Sequence, residues 1–369
     1  MIERAFTIVQ RLTGTLRRRA ALGLRPVTAP VILFIPVGVA LGPAGAGVLS
    51  HEALRHLDVV VSIALATLGV FIGLEAGAES RNVRRLFLAS TVEALVTVGI
   101  VTGAVLVLLR RWEVPLELSP GLVAVSLGIC AAASAAPHVE SGDERVHAIA
   151  ARVADLDDIL PIVLGGILIV VASSTTRPLE GTATTIFLGV AIALSGWLLF
   201  EKPQDEGERG VFVLGSLALL GGSAAYLSLS PILTGLCAGW LWVLAPGRSN
   251  VVVARELHKL QHPLVVLLLI TAGASLEYST AGIWLLAPYV AFRLMGKLIG
   301  GWTASRIAPD IAPSDLGAYL IPPGVIGIAF ALNIGQVAPE RSSALILAVA
   351  LGAMAAEIVA FAVTPAPER

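Results

Sequence analysis

Apolar runs about as long as a membrane is thick recur along almost the whole chain, separated by short polar segments. A helix needs about 20 apolar residues to cross the hydrocarbon of a bilayer. By that ruler twelve spans begin near residues 27, 57, 86, 121, 147, 182, 211, 231, 262, 281, 316 and 342. The ninth, "PLVVLLLITAGASL", is the weakest of them. Connections such as "GAESRNVRR", "HVESGDERVH", "EKPQDEGERG" and "APGRSNVVVARELHKL" are polar and too short to form a soluble domain. The basic stretch and apolar run near the N-terminus have the ingredients of a signal peptide. Arg25 and Pro26 interrupt the start of that run, however, and it reads better as the first span. The pattern predicts an all-α integral membrane protein of about twelve transmembrane helices. Its expected organisation is an N-terminal segment over 1–26, a transmembrane domain over 27–363, a short tail over 364–369, and no soluble regulatory domain.

Composition agrees. With 56% hydrophobic and only 14% charged residues, the chain lacks the polar skin of a soluble domain. The net charge of −1 leaves no basic footprint for nucleic acid. Cys130 and Cys237 make neither a disulfide framework nor a metal spacing, and no cofactor is called for.

Basic residues stay on the cytoplasmic side of a membrane. With the N-terminus inside, 17 of the 25 Lys and Arg residues fall in inner segments, five in outer loops and three within spans. A missed or extra span would scramble this asymmetry. Both termini are therefore expected in the cytoplasm, with the chain in the plasma or inner membrane.

The three basic residues within spans are Arg152, Arg293 and Lys297. The first lies in "ARVADLDDILPIVLGGILIVV" (151–171), which also carries Asp155, Asp157 and Asp158. A charge at mid-membrane costs roughly 2.5–3.5 kcal/mol on insertion scales, and persists where it faces a bundle interior or a wet cavity. On a helix, Arg152, Asp155 and Asp158 form one polar stripe, while Asp157 points about 100° away from Asp158, toward another neighbour. Arg152 and Asp155, near the cytoplasmic interface, are expected to pair as a structural lock. Asp157 and Asp158 lie deeper and repel each other. A proton or a small hard cation relieves that repulsion, and both compete for the same oxygens.

A partner is available in the tenth span, "YVAFRLMGKLIGGW", where glycines flank Lys297 and allow another helix to come close. Arg293 lies one turn away on the same face. The bland alternative for Lys297 is a side chain that snorkels to the interface. Two spans also contain breakers. The fourth runs through tiny residues and Ser134 to Pro137, and the eleventh is interrupted by Pro322, Pro323 and Gly324. Proline removes backbone donors, and freed carbonyls are tolerated at depth where they line a site. Paired broken helices are how inverted-repeat transporters build one; an ordinary kink is the alternative for each.

Several segments then match a known pattern. "GVALGPAGAGVLS" is similar to a first-span "GxxLGP" segment, and "LATLGVFIGLEAG" to a second-span "FxxGLE" signature. "LCAGWLWVLAP" and "LLITAGASLEYS" are similar to later "AFxAGL" and "FFxxxGxxLD" segments. "DLDDILPI" resembles the paired-aspartate ion-binding motif of the fifth span, and "RLMGKLIGG" the tenth-span "GK" motif. From about 30 to 363 the chain thus resembles the cation/proton antiporter superfamily, of the sodium/proton exchanger type.

The resemblance implies an inverted-repeat fold with two broken helices crossing near the ion site. It also implies a core bundle that moves against a dimerisation domain, and a homodimer. Asp158 would be the principal carboxylate for cation and proton, and Asp157 its neighbour, paired with Lys297 until the cation binds. Ser134 would line the site, with Asp155, Arg152 and Arg293 as accessories. Paired aspartates imply electrogenic exchange of Na+, or Li+, for protons. The chain departs from the pattern at Pro323-Gly324-Val325, where relatives often carry Arg-Gly-Glu. Ser134 also stands only 23 residues before Asp157, and Asp155 and Pro161 are additions, the latter able to bend the site.

An electroneutral K+/H+ antiporter, or a non-transporting protein derived from an antiporter, fits the same residues. An intramembrane aspartyl protease fits poorly, because its two aspartates must face each other from different helices. Glu75 belongs to the "GLE" signature, at a helix end. Glu93 and Glu357 lie within spans and call only for burial with a hydrogen-bonding partner. His138, His147, His258 and His262 gather at predicted span ends, as interfacial residues or as a pH sensor.

Overall fold

The structure, a computed structural model, describes residues 30–77, 83–112, 116, 118–135, 144–173, 178–200, 205–245, 249–309 and 311–363. The segments 1–26 and 364–369, together with Pro137 and His138, lie outside them. The described residues form helices and no named strand. In chain order these are α1 (Pro30–Leu41), α2 (His51–Gly77), α3 (Val83–Trp112), α4 (Pro120–Ala132), α5 (Glu144–Asp157), α6 (Ile159–Ser173) and α7 (Pro178–Phe200). There follow α8 (Glu206–Tyr226), α9 (Pro231–Leu244), α10 (Ser249–Ala274), α11 (Thr280–Ile307), α12 (Leu316–Tyr319), α13 (Val325–Val337) and α14 (Ser343–Val363).

Each of the twelve predicted spans has its helix, with α5–α6 sharing the fifth and α12–α13 the eleventh. Eight spans are long and apolar enough to cross a membrane; α1, α4, α9 and α13 are shorter. A helix of about 13 residues reaches only about 20 Å, against about 30 Å of hydrocarbon. The chain is a multi-pass membrane protein.

Serines set several helix starts. Ser119 and Ser230 each precede a proline at the first helical position and accept from a backbone N–H three residues on, Leu122 at 3.3 Å and Leu233 at 3.4 Å. The ninth span differs from expectation, because α10 starts inside the supposed connection "APGRSNVVVARELHKL". Val253 and Leu257 there are buried, while Arg255 and Lys259 face outward and Lys259 pairs with Glu256 at 2.9 Å. The segment is amphipathic, so its mean hydropathy hides a helix. His258 and His262 consequently lie within α10, not at its end, and His258 stacks on Phe71.

Two bundles pack side by side. In one, α2 packs on α9 and α8, α7 on α9 and α8, and α1 on α10. Its core includes Val70, Phe200, Leu217 and Trp242, whose indole N–H donates to the Ala193 carbonyl at 2.8 Å. In the other, α3 packs on α4 and α11, α11 on α14, and α13 on α14, α6 and α4. A polar patch joins them: Gln336 of α13 donates to the Asp58 carbonyl of α2 at 2.9 Å and accepts from the Ser62 hydroxyl at 3.3 Å.

Candidate ion-binding site

Within the second bundle the two broken spans cross. α4 ends at Ala132, and Ala133 is extended. Pro322 and Pro323 offer no backbone donor, so the helix before them stops and α13 begins afresh after the extended Gly324. Ser134 and Pro323 form an antiparallel bridge, with Ala135 N–H donating to the Pro322 carbonyl at 3.0 Å and Gly324 N–H to the Ala133 carbonyl at 3.3 Å. The approach is too close for side chains: a Cβ at Gly327 would stand 2.4 Å from the Cys130 carbonyl oxygen.

Helices that stop inside the protein leave carbonyls without donors and a partial negative charge at each C-terminal end. Two cations of α11, one turn apart, answer both. Arg293 donates to the carbonyls of Ala131 (2.6 Å), Ala133 (3.2 Å), Ile321 (3.2 Å) and Pro322 (3.3 Å), so one guanidinium ties both broken spans together. Lys297 donates to the Ala132 carbonyl. Its ammonium also lies 3.1 Å from Asp157 Oδ2 and 3.1 Å from Glu93 Oε1, all three side chains being fully buried. Lys297 does not snorkel. It is enclosed between two carboxylates.

Asp157 closes the α5 helix. Its Oδ2 accepts from the Ser134 hydroxyl at 2.7 Å as well as from Lys297, and its Oδ1 from the Ser134 N–H at 3.4 Å. Asp158 forms the joint between α5 and α6. Pro161, four residues after Asp157, has no N–H for the Asp157 carbonyl, which explains why the helix loses its regularity here. Asp158 is partly accessible, yet its Oδ1 is enclosed and accepts no hydrogen bond among the described residues. The site thus holds one carboxylate saturated by donors beside one with an oxygen to spare.

Ser134, Asp157, Asp158, Lys297, Pro322, Pro323 and Gly324 are brought together, and Arg293 stands beside them as the clamp on the crossing. Arg152 and Asp155 are not joined as expected. Arg152 stays within electrostatic range of Asp155 and of Glu75, but no direct ion pair is made; its guanidinium turns across to α2 and donates to the Glu75 carbonyl at 3.4 Å. Half-buried side chains near the predicted cytoplasmic end have water as an alternative partner, so a three-residue spacing does not force contact.

Sequence reasoning left Glu93 without a partner. Thr97 donates to its Oε1 at 2.9 Å, and Lys297 supplies the rest. The available signal was that Glu93 is the one charged residue between Arg85 and Arg110. Glu357, buried on α14, lies within electrostatic range of Arg293.

No family model and no curated protein matches the sequence. Among solved structures, the chain is similar to the sodium proton antiporter MjNhaP1 from Methanocaldococcus jannaschii at pH 8, with a TM-score of 0.64 and 14% identity over 97% of this chain and 99% of that one. The chain shares the fold of that sodium proton antiporter.

Proposed function

We propose that the chain is a secondary active antiporter that exchanges a monovalent cation, Na+ or Li+, for protons by alternating access. The observation that carries this is the asymmetry of the aspartate pair. Asp157 is held by Lys297 and Ser134, while Asp158 presents an unpartnered oxygen beside it, at a crossing of broken helices. The likeness to a sodium proton antiporter supports the same reading. The cation binds between Asp158 and Asp157, displacing Lys297 from Asp157; protonation of the pair on the opposite side releases it. Exchange moves net charge, so the membrane potential contributes about 2.3 kcal/mol per elementary charge per 100 mV. A cell-membrane location, cytoplasmic termini and a homodimer belong to the same proposal, the orientation being supported by the distribution of basic residues.

The test is proton flux in proteoliposomes holding the full chain. A sodium gradient is expected to drive proton movement and a transient current, and Asp158→Asn to abolish both. Flux with potassium and no current would instead identify an electroneutral potassium exchanger. No cation-dependent flux, with wild type and Asp158→Asn alike, would overturn the proposal.

A further inference from the structure

We infer that Glu93 is the standing counter-ion of Lys297, holding the ammonium throughout the cycle, so that Lys297 acts as a fixed charge and the exchanged protons ride on Asp157 and Asp158. The inference rests on the antiporter reading and assigns the proton carriers within it.

An ammonium has three donors. Those of Lys297 are matched by three acceptors from three elements: Glu93 on α3, Asp157 on α5 and the Ala132 carbonyl at the end of α4. Only one of these, Asp157, adjoins the oxygen left over on Asp158 and is needed by a cation. When Asp157 turns to the cation, Lys297 keeps a carboxylate and a carbonyl. Without Glu93 it would keep a carbonyl alone, and a buried ammonium with no counter-ion sheds its proton.

Glu93 is built to stay where it is. It is 0% exposed, Thr97 fixes its Oε1 at 2.9 Å, and Gly300 lets α3 and α11 approach. A Cβ on Gly300 would stand 2.8 Å from the Glu93 carbonyl oxygen and 3.1 Å from its Oε1. The other charges near Lys297 are Asp158, which makes no ion pair with it, and Arg293, engaged with backbone carbonyls. Glu93 is therefore a positioning residue. It touches the lysine, has Asp157 as an electrostatic neighbour on the lysine's other side, and shares no hydrogen bond with either aspartate among the described residues.

The experiment measures the proton-to-cation coupling ratio of the full chain in proteoliposomes, from the membrane potential at which opposing sodium and pH gradients give no net flux. Glu93→Gln is expected to raise the ratio by one proton per cation, because Lys297 then loses and regains its proton each cycle. Lys297→Arg, whose guanidinium does not deprotonate, is expected to keep the wild-type ratio at a reduced rate. A wild-type ratio in Glu93→Gln overturns the inference, as does a ratio lowered by one in Lys297→Arg. The second variant retains the charge and decides the matter even if the first does not assemble. Absence of sodium-driven flux in the wild type is a different result, and overturns the antiporter reading itself.

Discussion

Asp157 and Lys297 meet at 3.1 Å with neither side chain reaching the surface, and the lysine stands at the same distance from Glu93 on its other side. Between two buried carboxylates the ammonium is the single charge that keeps them from repelling each other directly. Breaking a buried pair by removing one partner typically costs about 3–5 kcal/mol, because the other charge stays behind. Lys297→Met is therefore expected to lower the apparent unfolding temperature in detergent sharply. Adding Asp157→Asn to it should restore part of the loss, since the orphaned charge is then gone. Equal and additive losses in the two single variants would show that the pair is not coupled.

Ser134 supplies the shortest hydrogen bond to Asp157, 2.7 Å from its hydroxyl. A hydrogen bond to a charged group is worth about 1.5–3 kcal/mol, or roughly ten- to a hundredfold in an equilibrium. Ser134→Ala is expected to raise the sodium concentration for half-maximal flux by about that factor, with Ser134→Thr close to wild type because it keeps the hydroxyl. The measurement is sodium-dependent proton flux at fixed pH. An unchanged half-maximal concentration in the alanine variant would remove Ser134 from the site.

Arg293 makes four carbonyl contacts, two to each broken span. Its loss exposes both backbone ends at once, and each buried unsatisfied group costs about 1–3 kcal/mol. Arg293→Met is expected to give the largest drop in thermal stability of any single change at the crossing. Arg293→Lys should fall between it and the wild type, because an ammonium on a shorter stem cannot span both segments. Thermal unfolding of the detergent-solubilised chain checks the order. Ser195→Ala, which loses one exposed hydroxyl contact to the Ala191 carbonyl at 3.0 Å, is the control and should change little.

Twelve spans were legible because hydropathy is a property of short windows, and the break before α13 followed from Pro322 and Pro323 inside an apolar run. The aspartate pair, Lys297 and the breakers at Pro322 and Pro323 stood out for the same reason, as residues that lipid should exclude. What stayed hidden depends on tertiary neighbours. Glu93 becomes meaningful only once α3 lies against α11, and Arg293 only once the two broken ends converge on it. The extended start of α10 was missed because Arg255, Glu256 and Lys259 lower the mean hydropathy of a segment that buries Val253 and Leu257. Arg152 and Asp155 remain electrostatic neighbours without the direct contact that helical spacing permitted, because the second helix, α2, offers Arg152 a carbonyl.

Ser62, Asp58 and Gln336 link α2 of one bundle to α13 of the other. If the bundle holding the ion site slides past its neighbour during exchange, these contacts must break and re-form in every cycle. A covalent tie across them should therefore stop transport without touching the ion site. The expected result is that a Ser62→Cys, Gln336→Cys variant, with Cys237→Ser to remove the partly accessible native thiol, loses sodium-driven proton flux on treatment with a short bifunctional thiol reagent. Each single-cysteine variant should keep its flux under the same treatment. The cation should still raise the thermal stability of the cross-linked chain, because binding needs Asp157 and Asp158 and not the sliding motion. Full flux in a chain shown by mass spectrometry to be cross-linked would mean that α2 and α13 move together, and that access to the aspartates alternates by some smaller rearrangement within the second bundle.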